Sequence, residues 1–237
     1  MQSSLPSYGT NWELTNSLFG RTLYAYVNCR TLHACVERKT EIVMRKGAVV
    51  RNTLETQISL EWSLDGEGLS TISTGQGFLD HMLTLLGRHS NSDLVIKATG
   101  DLYVDAHHTT EDVGIALGTA LKEALGTKAG IRRYGCFTLP MDETLVTVAV
   151  DLGGRPFYVS NAKFPTPRVG DFDTELVDDF WQGFSTAAMC NLHVKLEYGR
   201  NSHHIAEAIF KCAARALRMA WEIDPNQKGV PTTKGVL

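Results

Sequence analysis

Two stretches carry one pattern: Asp105-Ala106-His107-His108-Thr109-Thr110-Glu111-Asp112, and ninety-six positions further on Asn201-Ser202-His203-His204-Ile205-Ala206-Glu207. With eight His and thirteen Glu in the chain, chance yields one H-H-x-x-E in about one or two chains per hundred, and two at matching places in about one per ten thousand. The pair therefore marks an internal repeat, and the surroundings agree. Each motif leads into a helical pattern, from about Thr110 to Leu125 with a stop at Gly126, and from His203 to Glu222. Each follows a strand pattern, Asp93–Ala98 and Asn191–Glu197, the latter alternating Leu192, Val194 and Leu196 with His193, Lys195 and Glu197.

Further upstream the order matches again. Phe78, Leu79, Met82, Leu83 and Leu86 recur at helical spacing, as does the stretch Glu175–Ala188. Ile58, Leu60, Trp62 and Leu64 alternate with polar residues as a half-buried strand requires, and Asp65-Gly66-Glu67-Gly68 is read as the turn into a neighbouring strand, Leu69–Thr74. Strands at Cys136–Pro140 and Leu145–Leu152 occupy those places in the second half. The expectation is an α+β fold of two β-β-α-β-α halves, 44–126 and 127–237, each a sheet with two helices on one face and the helices packed between the sheets.

The chain has 237 residues, 43% apolar and 21% charged, with net charge 23 − 26 = −3. This composition supports a sizeable core and excludes a disordered chain. No apolar run reaches the ~18 residues of a membrane span, and a near-neutral balance argues against gripping nucleic-acid phosphates. Five scattered cysteines without a C-x-x-C give neither a disulfide framework nor a cysteine zinc site, so a reducing, cytoplasmic setting is expected. Residues 1–43 lack a sustained apolar period and read as an extension ahead of a start at Met44, with a weak targeting segment as the alternative.

On a helix, the Glu of each motif shares a face with both His residues, whereas adjacent His side chains diverge by ~100°. One motif therefore tends to serve two metal ions, and two motifs imply two centres drawing on both halves or on neighbouring subunits. The bland reading, that His-His caps a helix whose positive end favours Glu, suits a single motif better than a repeated one. His81 lies on the polar side of its helix 26 residues before His107, and Asp179 occupies the matching place 24 residues before His203, beside Asp178. Mixed imidazole and carboxylate donors suit Mn, Fe or Zn without choosing among them.

Longer motifs narrow the reading. Gly77-Phe78-Leu79-Asp80-His81-Met82-Leu83, Gly100-Asp101, the two His-His motifs, Lys211 and Pro231-Thr232-Thr233-Lys234-Gly235 occur in order, with Arg51–Thr56 ahead of them and Met141–Leu145 and Asp151–Pro156 between them. Over residues 45–237 the chain resembles the imidazoleglycerol-phosphate dehydratase family of histidine biosynthesis. The resemblance implies a manganese-dependent lyase that converts imidazole glycerol phosphate to imidazole acetol phosphate, with two Mn2+ per active site and 24 subunits meeting at those sites. Position by position, it implies metal ligands at His81, His107, His108, Glu111, Asp179, His203, His204 and Glu207. It implies an acid/base role for Glu55, shared in part by Glu207, and substrate or phosphate contacts at His89, Arg133, Arg155, Lys211, Thr232 and Lys234. The family often has His where this chain has Asp179. His193, alternating with buried strand residues, is as compatible with a structural role as with a functional one.

Two rivals of other classes are a metal-dependent hydrolase, since His pairs with a nearby Glu also activate water, and a non-catalytic metal-binding assembly. A hydrolase needs one site with one positioned water, whereas two matched motifs with phosphate-type cations point to the dehydratase. In a structural assembly Glu55 and those cations would be dispensable.

Overall fold

The computed structural model describes residues 44–235 and Leu237, all within the unit Val43–Leu237. The extension read at 1–43 lies outside the described residues. The first half contains β1 (Lys46–Asn52), β2 (Thr56–Ser63), β3 (Ser70–Ser73), α1 (Gly77–Ser90), β4 (Asp93–Gly100) and α2 (His107–Leu125). The second has β5 (Tyr134–Met141), β6 (Thr144–Asp151), β7 (Phe157–Ser160), a small ribbon of β8 (Arg168–Val169) and β9 (Phe172–Asp173), then α3 (Leu176–Ala188), β10 (Asn191–Tyr198) and α4 (Ser202–Trp221).

The duplicated α+β expectation is borne out, with one more strand in each four-stranded sheet and the β8–β9 ribbon added in the second half. The sheets run β1-β2-β4-β3 and β5-β6-β10-β7, antiparallel except for the parallel edge pairs β3–β4 and β7–β10. The turn at 65–68 does not close a hairpin as the sequence suggested. Asp93 accepts the backbone N–H groups of Glu67 and Leu69, at 2.9 Å each, and carries the chain past β2 to the far side of β4.

Alternation decides which face is buried. Ile58, Leu60 and Trp62 on β2 sit beside Leu94, Ile96 and Ala98 on β4, while Val146, Val148 and Val150 on β6 sit beside Leu192 and Val194 on β10. Covering these faces, α1 and α2 pack on the first sheet, α3 and α4 on the second; α2 meets α3 and α1 meets α4, so the helices form the middle layer. Trp62 and Trp221 stack edge to face across it at 5.5 Å.

Glycines record the duplication at atomic detail. A Cβ on Gly47 of β1 would lie 2.0 Å from the Ala120 carbonyl oxygen of α2, and one on Gly135 of β5 would lie 1.9 Å from that of Ala216 on α4. Only glycine lets strand and helix approach so closely at both places.

Candidate metal centre

The contact of α1 with α4 assembles the first cluster. Thr74 donates from both its backbone N–H and its hydroxyl to Asp80 in the first turn of α1, holding the turn that carries His81. At the start of α4 the Asn201 side chain accepts the backbone N–H groups of His203 and His204, a cap that fixes the first helical turn. Glu207, one turn on, lies with Oε2 3.0 Å from His203 Nε2 and 3.3 Å from His81 Nε2. Phe78 supports the His203 ring edge to face at 5.2 Å. The donor atoms of His81, His203 and Glu207 all lie within 4.8 Å of one another, a spacing and donor set that fit one divalent cation.

Glu207 is nearly buried, with a side chain 9% exposed, and its other oxygen takes an ion pair from Lys211 at 2.5 Å. Burial pushes its carboxyl up, but the Lys211 and His203 hydrogen bonds overcome this and leave it below its ordinary value. His89, further along α1, is close enough to feel the same lysine. Burial first, then the charges of Lys211 and Arg215, hold its imidazole low, so it stays neutral near pH 7. Beside His203 a groove of about 450 Å³ is lined by Arg168, Arg200, Asn201 and Ser202.

The contact of α2 with α3 assembles the matching second cluster. His107 Nδ1 is 3.5 Å from Asp179 Oδ2, and Glu111 follows one turn later, half-buried. Of the adjacent acids on α3, Asp178 is already engaged, accepting the Tyr158 hydroxyl at 2.5 Å. That bond leaves Asp179 as the carboxylate turned to His107. Both groups thus draw on both halves of the repeat, with one residue from one half and two from the other.

The second histidine of each pair faces elsewhere. The His107 and His108 rings stand at 88° with centroids 6.0 Å apart, and those of His203 and His204 at 82° and 6.2 Å. His108 Nδ1 meets Asp101 at 3.0 Å, and its Nε2 lies 3.7 Å from Glu55. The Asp101 hydrogen bond is the main reason the His108 pKa is raised. His204 Nδ1 meets Glu143 at 2.7 Å, and its Nε2 lies 3.7 Å from Asp142. That hydrogen bond holds the Glu143 carboxyl down at about 2.

Glu55 owes its place to the turn between β1 and β2. Thr53 Oγ1 accepts the backbone N–H groups of Glu55 and Thr56, and buried Asp112 on α2 ties this turn to the helix through Arg51 and the Thr56 hydroxyl. Asp101, Asp142 and Glu143 were not singled out as site residues in the sequence. Each sits inside a recognisable motif, but only the fold shows that they converge on imidazoles up to 61 positions away.

The remaining cations gather around the C-terminal segment. Arg133 donates from Nε and Nη2 to Asp151, at 2.7 and 3.1 Å, and from Nη1 to the Pro231 carbonyl at 3.0 Å. Gly130 N–H bonds the Gly229 carbonyl, and a Cβ on Gly154 would lie 2.6 Å from the Leu237 backbone. Arg155 is exposed next to that contact; Thr232 and Lys234 ride on the same segment, and the Thr232 hydroxyl accepts the Lys234 N–H. Among the described residues no hydrogen bond or ion pair joins this group to either histidine cluster. Lys211 and His89 alone of the expected substrate contacts belong with the first cluster.

A family model described as imidazoleglycerol-phosphate dehydratase matches residues 74–217, which span α1, α2, α3 and most of α4 and therefore both clusters. The chain belongs to the imidazoleglycerol-phosphate dehydratase family. A dehydratase of that name from Rhodopirellula baltica is 56% identical over 193 residues, covering 81% of this chain and 96% of the relative. One from Streptococcus thermophilus is 53% identical over 194 residues, covering 82% and 100%. Among solved structures, the dehydratase of Staphylococcus aureus superposes with a TM-score of 0.69 at 42% identity, covering 76% of this chain and 99% of that one. That of Pyrococcus furiosus, solved in complex with (S)-C348, gives 0.69 at 36% identity, covering 80% and 100%.

Proposed function

We propose that this dehydratase works with two manganese ions per active site, held on one side by His81, His203 and Glu207 and on the other by His107, Glu111 and Asp179. His108 and His204 offer their outward nitrogens to the centres of neighbouring copies in a 24-subunit cytoplasmic assembly. The observation that carries this reading is the convergence of His81, His203 and Glu207, from opposite halves of the repeat, within 4.8 Å.

As a member of its family the chain is a lyase, removing water from imidazoleglycerol phosphate in histidine biosynthesis. The carbon–hydrogen bond broken in that reaction is next to no carbonyl, so the imidazole ring must act as the electron sink. Bound divalent cations would supply positive charge at the ring nitrogens, favouring the ionised, imidazolate-like ring. The ionised ring expels the hydroxyl from the adjacent carbon. Loss of a proton from the next carbon then returns the electron pair to the ring, and the resulting enol becomes the ketone of imidazole acetol phosphate.

Glu55, on an exposed turn with its carboxylate 3.7 Å from His108 Nε2, is the proposed proton carrier. Glu207 shares in proton transfer at the other cluster, where Lys211 keeps it ionised. Arg155, Lys211, Thr232 and Lys234, with neutral His89 beside Lys211, receive the substrate and its phosphate. Arg133 is the anchor of the segment that carries two of these residues, because Asp151 and the Pro231 carbonyl occupy its guanidinium.

The hydrolase and non-catalytic alternatives are not favoured by two matched clusters in a chain of this family. The test is a dehydratase assay with imidazoleglycerol phosphate on metal-stripped protein. Activity should vanish on chelation and return with Mn2+, and the apo-protein should fall to smaller assemblies. Full turnover by thoroughly demetallated protein would refute the proposal.

A further inference from the structure

We propose that Asp101 and Glu143 are positioning carboxylates. Each holds the Nδ1–H of the second histidine in its pair, so that Nε2 of His108 and Nε2 of His204 are the atoms presented for ligation. The inference rests on the reading of His108 and His204 as metal ligands. A neutral imidazole carries one N–H, and donating it to a carboxylate from Nδ1 leaves the lone pair on Nε2. The distances, 3.0 Å for His108 and 2.7 Å for His204, are those of such bonds.

What separates this arrangement from an inherited packing contact is that the duplication did not copy it. Asp101 lies just past β4, seven residues before its histidine, whereas Glu143 comes from the β5–β6 turn, 61 residues before its own. The residue standing six before His203, as Asp101 stands six before His107, is Glu197, and it bonds Lys195 and Thr147 instead. The turn matching that of Glu143 carries Glu55, on the opposite side of its histidine. Two carboxylates of different length, from different loops, reach the same ring atom in both halves, so the orientation of the ring is the shared feature.

Their support differs. Glu143 Oε1 also accepts the Asn201 N–H at 3.0 Å, the Arg200 N–H at 3.4 Å and the Thr144 hydroxyl, which pins the carboxylate to the start of α4. Asp101 Oδ1 is buried with no partner among the described residues, so that carboxylate is held by His108 alone. A folded Glu143→Ala chain therefore loses backbone contacts as well as the imidazole bond, and Glu143→Gln is the cleaner probe.

The experiment uses full-length, metal-stripped protein in two measurements: Mn2+ titration by calorimetry, and solid-state 15N spectra of histidine-labelled chains, assigned with His108→Ala and His204→Ala. Asp101→Ala and Glu143→Ala should weaken Mn2+ binding by about 10–100-fold, the usual cost of losing such a partner. Glu143→Gln, whose amide oxygen still accepts the Nδ1–H, should lose less. In the unaltered apo-protein both histidines should carry their proton on Nδ1. Undiminished Mn2+ affinity in folded Asp101→Ala and Glu143→Ala overturns the proposal, as does an Nε2–H tautomer at His204. If Glu143→Ala does not fold, Glu143→Gln and the tautomer decide: a loss in Glu143→Gln as large as for His204→Ala counts against it. Undiminished affinity in His108→Ala and His204→Ala would instead remove the ligand reading on which the proposal stands.

Discussion

Gly114→Ala should loosen the second centre while leaving the first intact. Gly114 sits on the face of α2 that meets α3, and a Cβ there would lie 2.4 Å from the Phe180 carbonyl oxygen, 3.2 Å from its carbon and 3.3 Å from the Phe180 Cα. All three are backbone atoms, so no change of rotamer relieves the clash. Ordinary contact begins at 3.4 Å, and the helices must separate by up to 1.0 Å. Phe180 directly follows Asp179, so the displacement is passed to the carboxylate. Added to the 3.5 Å between His107 and Asp179, a shift along that line opens the gap to about 4.5 Å. Small divalent cations hold nitrogen and oxygen donors at about 2.0–2.2 Å, so two donors on one ion stand at most ~4.4 Å apart. Overpacking of this kind costs about 1–3 kcal/mol, which for a unit of this size is a fall in Tm of about 2–12 °C. The assay is Mn2+ stoichiometry by calorimetry together with thermal unfolding at fixed protein and metal concentration. Gly77→Ala, with nothing within 4 Å of its added Cβ, is the control. Unchanged Tm and two tightly held ions in Gly114→Ala would refute the claim that close helix approach sets this centre.

Glu55→Gln should keep fold, assembly and metal content while losing most of kcat, and near-normal turnover would remove Glu55 from the mechanism. Asp179→Ala should lose about one tightly bound ion per subunit and Asp179→His should keep it, whereas Asp178→Asn should bind both; metal titration separates them. Arg133→Ala should lower Tm, by the equivalent of about 1.5–3 kcal/mol for a lost charged hydrogen-bond set, and a rise in KM without loss of stability would return Arg133 to direct phosphate binding. Asp93 is held below its ordinary value of 3.8 chiefly by the Leu69 N–H. Its folded-state pKa is depressed, so its contribution is present above pH 3.8 and lost as pH falls below it. The Tm deficit of Asp93→Ala should accordingly be full at neutral pH and shrink below about pH 4.

What could be read in the chain was whatever depends on short-range periodicity. The half-buried strands β2, β6 and β10 show their alternation openly, and the helices α1 to α4 show their apolar stripes. The strands of the two main sheets that periodicity does not reveal are edges: β1 buries only Gly47 of its seven residues and β7 buries none of its four, so neither writes an alternating pattern, and β8 and β9 are too short to write one. The helix α2 begins at His107, three residues earlier than its apolar period suggests, because the Asp105 side chain accepts the His107 N–H and starts the turn. Pairings across long separations, such as His81 with Glu207 over 126 positions, need the helix layer to be assembled first. The divergence of adjacent histidines, by contrast, follows from helical geometry alone, and the paired rings face different ways as that geometry requires.

The two clusters descend from one repeat but differ in charge. At the position one turn after its glutamate, the first carries Lys211, which neutralises Glu207, and the second carries Ile115. The first has two imidazoles with one offset carboxylate; the second pairs one imidazole with Asp179, Glu111 following one turn along α2, and has no cation in the lysine's place. On the proposed reading a divalent ion would meet a more negative environment in the second, so electrostatics would favour tighter retention there. In the first cluster Lys211, which lies close to His89, would set a compensating positive charge against the ion. On the proposed reading Lys211 has two partners to serve, Glu207 in the resting protein and an incoming phosphate dianion. On that reading, any movement of its ammonium group toward the dianion would leave Glu207 more negative and a stronger donor at the moment substrate arrives.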